Sequence, residues 1–309
     1  MVNPLRFTPG SDPTEMIDAW LARPALRAMV EAYGGEWPDG SLLSRLEQLV
    51  EFSAVWDLRG GSSRLGINVA SGPGRADRTL GWAQDLGLIQ FAAPTRREVD
   101  AVLVLGGLVT GCVSRVEYLR DLLADGLVST AHIALLGSFR GLQDQERSLV
   151  DEFAPGAETE VDVLMALAAH LDARPTEWEL TVTGNPASAG ALTELVGRRG
   201  GRPQTWLLAA RSSDPDRRSA NTADTYRLAA DHLKFAAGTR LLIVTNQIYA
   251  FFQHWDAVRV LGLPFDVDLE TIGTPPSSNR RTFGPEWYAQ EVRSTLRSAR
   301  DLAKAWTAR

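Results

Sequence analysis

The sequence predicts an α/β fold, a three-layer parallel sheet with helices on both faces, from the order and character of its apolar segments. From residue 98 onward, short runs rich in Val, Ile and Leu alternate with segments of helical length. The runs are apolar at successive positions, as expected for strands that are buried on both faces. This Rossmann-like domain is predicted to span 98–284, after a helical N-terminal extension over 1–97 and before a C-terminal helix over 285–309.

Six apolar runs are the predicted strands: DAVLVLGG from Asp100, HIALLG from His132, WELTVTG from Trp178, TWLLAA from Thr205, RLLIVTN from Arg240 and VDLETIG from Val267. Helices are predicted between them, over 114–125, 160–172, 187–198, 222–235 and 251–261. In the N-terminal extension, helices are predicted within 11–55 and around 80–88, with a loop rich in Gly and Ser over 57–78.

Composition narrows the classes of function. A net charge of -6 over 309 residues argues against broad binding to nucleic acid or to an anionic membrane, which usually needs a basic face. Cys112 is the single cysteine, which excludes internal disulfides and thiolate-rich metal sites. The N-terminal residues lack the apolar core of a signal peptide, and no apolar run approaches the ~18 residues of a membrane span. We therefore expect a cytoplasmic protein with a small-molecule partner.

The loops that follow the predicted strands locate the candidate site, because ligands of open parallel sheets bind beyond the carboxyl ends of the strands. These loops are rich in glycines, hydroxyls, amides and arginines. Gly106 and Gly107 directly follow the first strand and let backbone amides approach an anion, although paired glycines are also typical of a tight turn. Cys112 is interpreted as a buried core residue rather than as a nucleophile.

Two helix starts have both a structural and a functional interpretation. Asn221 or Thr222 is predicted to cap the helix that begins there, with Asp224 in its first turn. A cluster of arginines precedes the same helix and suits a phosphate or carboxylate ligand: Arg211, Arg217 and Arg218. Around Glu160, Thr159 and Asp162 have the spacing of a capping box.

The four histidines lack metal-binding spacing, so no metal site is predicted. Only His254 follows a strand-end loop, where it is a candidate acid or base. The alternative interpretation is a partly exposed residue on a helix that is rich in aromatic side chains, including Phe251, Phe252 and Trp255.

Four of these segments together resemble the YdcF/SanA/ElyC-like family: VLVLGG at 102–107, TEVDVLM around Glu160, RRSANTADT at 217–225, and IVTNQIYAFFQHWDAVRVLGLP. The resemblance covers about residues 98–275. It implies that Gly106, Gly107, Glu160, Asn221, Thr222 and Thr245 line a strand-end pocket. It also makes S-adenosylmethionine a candidate cofactor. The chain departs from the family pattern at Asn246 and Tyr249, where relatives usually carry Ser and then His.

The leading hypothesis is an enzyme that acts on a small anionic metabolite, nucleotide-like or phosphorylated. Asn221 and Thr222 would position the ligand, beside Thr245, Asn246 and Tyr249, and Glu160 or His254 would move a proton. Arginines in the strand-following loops would hold its negative charge: Arg140, Arg211, Arg217, Arg218, Arg280 and Arg281. Two alternatives stay open, a transferase that uses S-adenosylmethionine and a non-catalytic binding module. The cofactor, the reaction and the oligomeric state are not predicted.

Overall fold

Eight strands form one mixed sheet in the computed structural model, which describes residues 4–57, 75–151, 153–171, 177–201, 203–278 and 280–309. The strands are β1 (Leu5–Phe7), β2 (Glu98–Leu105), β3 (Ser129–Gly137), β4 (Trp178–Thr183), β5 (Glu194–Arg199), β6 (Gln204–Ala209), β7 (Arg240–Asn246) and β8 (Asp268–Thr274). Their order across the sheet is β1-β8-β7-β2-β3-β6-β5-β4. The five central strands, from β8 to β6, are parallel, and β1, β5 and β4 add antiparallel pairs at the two edges.

Helices cover both faces of the sheet, as the apolar strands require. They are α1 (Pro13–Leu21), α2 (Pro24–Ala32), α3 (Leu42–Phe52), α4 (Arg75–Asp85), α5 (Val109–Ala124), α6 (Asp144–Val150), α7 (Glu160–Ala168), α8 (Pro186–Ala189), α9 (Thr222–Leu233), α10 (Ala250–Ala257), α11 (Leu263–Phe265) and α12 (Pro285–Thr307). The α/β class with flanking helices and a C-terminal helix is therefore confirmed. None of the helices in the described ranges is long and apolar enough to cross a lipid bilayer.

The core has two layers because successive residues of a strand point to opposite faces of the sheet. Val102 and Val104 of β2 pack on one face with α5 and α7. Leu103 and Leu105 pack on the other face with α9, α10, α12 and the N-terminal helices. Both pairs are buried, which explains why β2 has four apolar residues in succession rather than an alternation of apolar and polar ones.

Local signals in the sequence set several helix starts. Asp12 and Ser41 cap α1 and α3, because their side chains accept hydrogen bonds from the amides of Thr14 and Ser44. Proline occupies the first position of α1, α2 and α12, where a missing amide proton costs nothing. In α12, a stripe of apolar residues faces the core: Trp287, Val292, Leu296, Ala299 and Leu302.

Two predictions are wrong: one predicted helix is largely a strand, and one predicted strand is exposed rather than buried. Residues 194–199 form β5, although a helix is predicted over 187–198, and only the short α8 lies in that range. WELTVTG does form β4, but this strand is exposed along most of its length instead of buried on both faces. β4, β5 and β6 form an antiparallel meander that extends the sheet. The predicted loop over 57–78 falls mostly outside the described residues, and α4 begins within its last part.

Candidate functional site

A cavity of about 350 Å³ lies at the carboxyl ends of β2, β3 and β7. β2 lies between β3 and β7, and the chain leaves it toward β3 through α5 but reaches β7 from β6 through α9. The crossovers diverge on either side of β2, which opens a crevice at the strand ends. The cavity is lined by the turn after β2, the loop after β3, the first residues of α7 and α9, the segment after β7, and one side of α10 and α12.

Glycine is required in the turn after β2 by the position of a carboxylate. A Cβ atom on Gly106 would overlap Oε1 of Glu160 and the carbonyl oxygen of Leu136. Gly111, in the first turn of α5, is similarly close to another polar group, since its Cβ would lie 2.9 Å from Oδ1 of Asn246. The glycines therefore allow Glu160 and Asn246 to approach the backbone of this turn.

Glu160 is the central carboxylate of the cavity. It is the first residue of α7. The predicted capping box, formed by Thr159 before it and Asp162 after it, is confirmed. Its Oε2 accepts a hydrogen bond from Oγ of Ser138 at 2.9 Å and lies 3.7 Å from Nε of Arg140. Glu160 is buried yet lines the cavity, so its position is fixed and a ligand can still reach it.

Arg140 is held by a second buried carboxylate. Its guanidinium forms a two-bond pair with Glu146, at 2.7 and 3.1 Å, and also donates to the carbonyl oxygen of Gly107 at 2.8 Å. Burial alone would raise the pKa of Glu146. The hydrogen bonds from Arg140 and from the amides of Val109 and Gln143 outweigh burial and lower that pKa. Glu146 is therefore a charged anchor for Arg140 and for the start of α5.

Arg115 supports the floor of the cavity from inside α5. It is 2% exposed, and its Nη1 donates to the carbonyl oxygens of Leu105 and Gly106. Its Nε donates to Oδ1 of Asn246 at 2.9 Å, and Nδ2 of Asn246 donates to Oγ1 of Thr274 at 3.0 Å. Arg115 thus ties the end of β2 to the ends of β7 and β8.

The start of α9 is a capped helix N-terminus at the cavity edge. Oδ1 of Asn221 accepts from the amide of Asp224 at 3.1 Å, and Oδ2 of Asp224 accepts from the amide of Asn221 at 3.0 Å. The predicted cap is therefore confirmed. Thr222 and Ala223, in the first turn, line the cavity, so the partial positive charge of this helix end lies beside it.

An aromatic wall, formed by Tyr249, Phe252 and Phe283, closes one side of the cavity. The ring centroids of Phe252 and Phe283 lie 6.0 and 5.9 Å from that of Tyr249. Arg281 lies at the end of this wall, with its guanidinium carbon 4.2 Å from the ring centroid of Trp287. Desolvation lowers the pKa of Arg281, and its Nη1 is buried without a hydrogen-bond partner among the described residues.

The cavity extends between α10 and α12, where polar side chains line it. Arg259 donates to Asp256 at 2.9 Å, and Asp301 and Ser298 of α12 lie on the opposite side. Burial raises the pKa of Asp256, and the nearby charge of Asp301 raises it further. Helices that pack this closely usually bury apolar faces, so the polar faces indicate contact with water or with a polar ligand.

Nine of the fifteen site residues predicted from sequence line this cavity, and the structure brings them together from six segments of the chain. They are Gly106, Gly107, Arg140, Glu160, Asn221, Thr222, Asn246, Tyr249 and Arg281. Their roles in binding or catalysis stay predictions. Their proximity follows from the parallel strands, which end at one edge of the sheet.

Six predicted site residues do not line the cavity: Arg211, Arg217, Arg218, Thr245, His254 and Arg280. Arg218 pairs with Asp224 at 2.6 Å and stabilises the cap of α9, while Arg211 lies 3.9 Å from Glu194 of β5. The hydroxyl of Thr245 is buried and donates to Gln253. Arg218 and Thr245 are therefore held by structural contacts, whereas Arg211 is largely exposed and lies outside the cavity.

His254 lies in the core on the side of α10 away from the cavity. It is completely buried, and its Nδ1 lies 2.8 Å from Oγ1 of Thr271 in β8. Burial lowers the pKa of His254 from 6.5 to about 3, although a backbone hydrogen bond with Arg6 opposes the shift. The side chain is therefore neutral at physiological pH. His254 is not partly exposed, as the alternative interpretation expected, but belongs to the core.

This buried histidine predicts a pH dependence of stability. Between pH 6.5 and about 3 the unfolded chain protonates His254 and the folded chain does not, so stability falls as the pH decreases. From pH 6.5 to 4.5 we expect a loss of about 2 kcal/mol from this residue. Urea unfolding at several pH values checks this, with His254→Gln reducing the slope and His170→Gln, at an exposed position, leaving it unchanged. Equal slopes in all three proteins would contradict the prediction.

Arg115, Ser138 and Gln253 are cavity residues that sequence reasoning missed. Arg115 had a usable signal, because it is a charged residue on the apolar stripe of α5 between Cys112 and Leu119. Ser138 directly follows β3, and a hydroxyl at a strand end is itself a signal for the carboxyl edge of the sheet.

Cys112 is buried, and burial raises the pKa of its thiol to about 12, which agrees with its interpretation as a core residue. No cluster of metal-ligating side chains occurs in the described parts of the chain.

Comparisons with known proteins give a family but no activity. Residues 8–87 match the Rv3785 N-terminal domain family. Over 97% of its length the chain is 33% identical to Rv3785 of Mycobacterium tuberculosis and to Mb3814 of Mycobacterium bovis, and each match covers 93% of the relative. Both relatives are named as uncharacterised proteins. No solved structure matches the chain significantly.

The resemblance to the YdcF/SanA/ElyC-like family is wrong, because the chain matches the Rv3785 N-terminal domain family and shows no match to the YdcF family. The motifs behind it have general causes. A glycine turn after an apolar strand and an asparagine at a helix N-terminus are common in open α/β sheets. S-adenosylmethionine was implied only by that resemblance and loses its support with it.

Proposed function

The chain belongs to the Rv3785 family, and we propose that it is an enzyme that acts on a small anionic metabolite, nucleotide-like or phosphorylated, at the carboxyl edge of its sheet. The observation that carries this proposal is the unpaired guanidinium of Arg281 in the cavity wall. No described residue accepts a hydrogen bond from it or forms an ion pair with it, and its Nη1 is buried. A buried donor without an acceptor is costly, and a phosphate or carboxylate oxygen would satisfy it.

Two of the other cavity arginines differ from Arg281. Arg140 and Arg259 are paired with Glu146 and Asp256, so they position groups rather than offer free charge. Arg281 instead stacks on Trp287, which holds its planar guanidinium in a fixed orientation. The start of α9, at Thr222 and Ala223, adds backbone amides and a positive helix end to the same cavity. Arg281 and the start of α9 thus both favour an anion in this cavity.

Glu160 is the proposed proton-transferring group. Its Oε1 lies against Gly106 in the turn after β2, and Ser138 and Arg140 hold its Oε2 while it lines the cavity. A carboxylate fixed beside an anion-binding cavity can accept a proton from a bound metabolite and return it to another atom. Ser138 and Arg140 then act as positioning residues for this carboxylate.

The proposal predicts that phosphorylated metabolites bind and that Arg281 contributes to their affinity. In isothermal titrations with ribose 5-phosphate and with nucleoside monophosphates, Arg281→Gln is expected to weaken binding by about 10- to 100-fold, because a hydrogen bond to a charged group is lost. Arg280→Gln is the matched control, since Arg280 pairs with Glu117 at 2.7 Å and does not line the cavity. The control should bind within twofold of the unmodified protein.

Two results would overturn the proposal. One is that none of these phosphate esters binds at millimolar concentration. The other is that Arg281→Gln and Arg280→Gln bind a phosphate ester with the same affinity as the unmodified protein.

A further inference from the structure

The aromatic wall is an apolar surface of the cavity that the proposed function leaves without a role. Tyr249, Phe252 and Phe283 are half-buried and line the cavity, in contrast to Phe251 and Trp255 on the other side of α10, which are buried in the core. Three aromatic rings that keep part of their surface open to one cavity are typical of a site that binds an apolar or planar group.

The arrangement of the rings suits a flat group. Phe252 and Phe283 are each inclined to Tyr249, at interplanar angles of 72° and 81°. This edge-to-face cluster is rigid, because each ring packs against its neighbour, and the guanidinium carbon of Arg115 lies 5.9 Å from the ring centroid of Tyr249. A planar ring that slides against such a wall removes water from both surfaces without reorganising the protein.

A polar group beside the wall indicates that the planar group carries hydrogen-bond acceptors. Gln253 follows Phe252 on α10, is 5% exposed and lines the cavity. Its Oε1 accepts from Thr245, whereas no described residue accepts from its Nε2. A carboxamide N–H in this position can donate to a ring nitrogen or to a carbonyl oxygen of a heterocycle. An aliphatic chain would leave that donor unsatisfied.

The wall also adjoins the proposed anion site. Phe283 contacts both Tyr249 and Trp287, and Arg281 lies over Phe283 and Trp287, at 5.7 and 4.2 Å from their ring centroids. A ligand that pairs with Arg281 can therefore place a ring on the wall.

We propose that the aromatic wall and Gln253 form a subsite for a nucleobase, so that the ligand is a nucleoside phosphate rather than a sugar phosphate. This inference rests on the proposed function, because the phosphate is the group that Arg281 would hold. The base would stack on Tyr249 and Phe283, with an acceptor on its edge toward Gln253.

Isothermal titration of ribose 5-phosphate and of four nucleoside monophosphates, AMP, GMP, CMP and UMP, tests the subsite. The tightest nucleotide is expected to bind about 5- to 150-fold more tightly than ribose 5-phosphate, the range that stacking of one base on aromatic side chains provides. Phe283→Leu should remove most of that advantage and leave the affinity for ribose 5-phosphate within twofold. Phe91→Leu, at an exposed ring outside the cavity, is the control and should change neither affinity.

The outcomes separate the two proposals. If ribose 5-phosphate binds as tightly as every nucleotide, or if Phe283→Leu weakens both ligands equally, the nucleobase subsite is overturned and the anion site stands. If no compound binds, both are overturned. Should Phe283→Leu fail to fold by circular dichroism, Tyr249→Leu replaces it, and the comparison of ligands on the unmodified protein already decides the inference.

Discussion

Replacement of Glu160 by glutamine is expected to lower turnover by about 100- to 10,000-fold, the usual contribution of a general acid or base. Glutamine keeps the shape of the side chain and can still accept from Ser138 through its carbonyl oxygen. It cannot accept the proton that the carboxylate takes from the metabolite. The variant should therefore fold and bind phosphate esters while losing activity.

Mass spectrometry checks this prediction because it follows many candidate metabolites in one experiment. The unmodified protein and Glu160→Gln are incubated with a pool of phosphorylated metabolites, and the loss of each compound is followed over time. Glu158→Gln, at an exposed position two residues earlier in the chain, is the matched control and should retain activity. If the unmodified protein consumes a metabolite and Glu160→Gln consumes it at the same rate, Glu160 does not transfer the proton.

Replacement of Glu146 by alanine is expected to destabilise the fold by about 3 to 5 kcal/mol, as the loss of one partner of a buried ion pair does. The side chain of Glu146 is 3% exposed and binds the Arg140 guanidinium with both oxygens. It also accepts from the amides of Val109 and Gln143. The substitution leaves a half-buried cation and two backbone donors without their acceptor.

Urea unfolding measures the effect, with Glu117→Ala as the control. Glu117 also pairs with an arginine, Arg280, but its side chain is 27% exposed, so its loss should cost no more than about 1 kcal/mol. If the two variants lose the same small amount of stability, Glu146 is not the anchor that the geometry indicates.

The central strands could be predicted from the sequence because burial on both faces gives them an unmistakable composition. β2 and β7 are apolar over most of their length, and each lies between two other strands of the sheet. β5 could not be predicted in this way. Residues 194–199 contain Glu, Leu and two Arg, which suit a helix, and their pairing with β4 and β6 overrides that preference.

The location of the site could be predicted, but the partners of each side chain could not. Asn246 was found because it ends a predicted strand at the carboxyl edge of the sheet, whereas Glu160 was named as a site residue only through the family resemblance that is wrong. Arg218 and His254 have the residue types of a binding site but are used by Asp224 and by the core. Pairings between distant parts of the chain decide which charged residues stay available to a ligand. A single sequence does not encode those pairings in any local pattern.

A titration of the arginine side chains by NMR tests the central claim most directly. In protein labelled with ¹⁵N at arginine, the Nε–H signal of Arg281 is identified by its absence from Arg281→Gln. We expect a nucleoside monophosphate to shift this signal in a saturable way, while the signal of Arg280, identified likewise, does not move. A stationary Arg281 signal at saturating nucleotide, or equal shifts of the two signals, would contradict an anion site in this cavity.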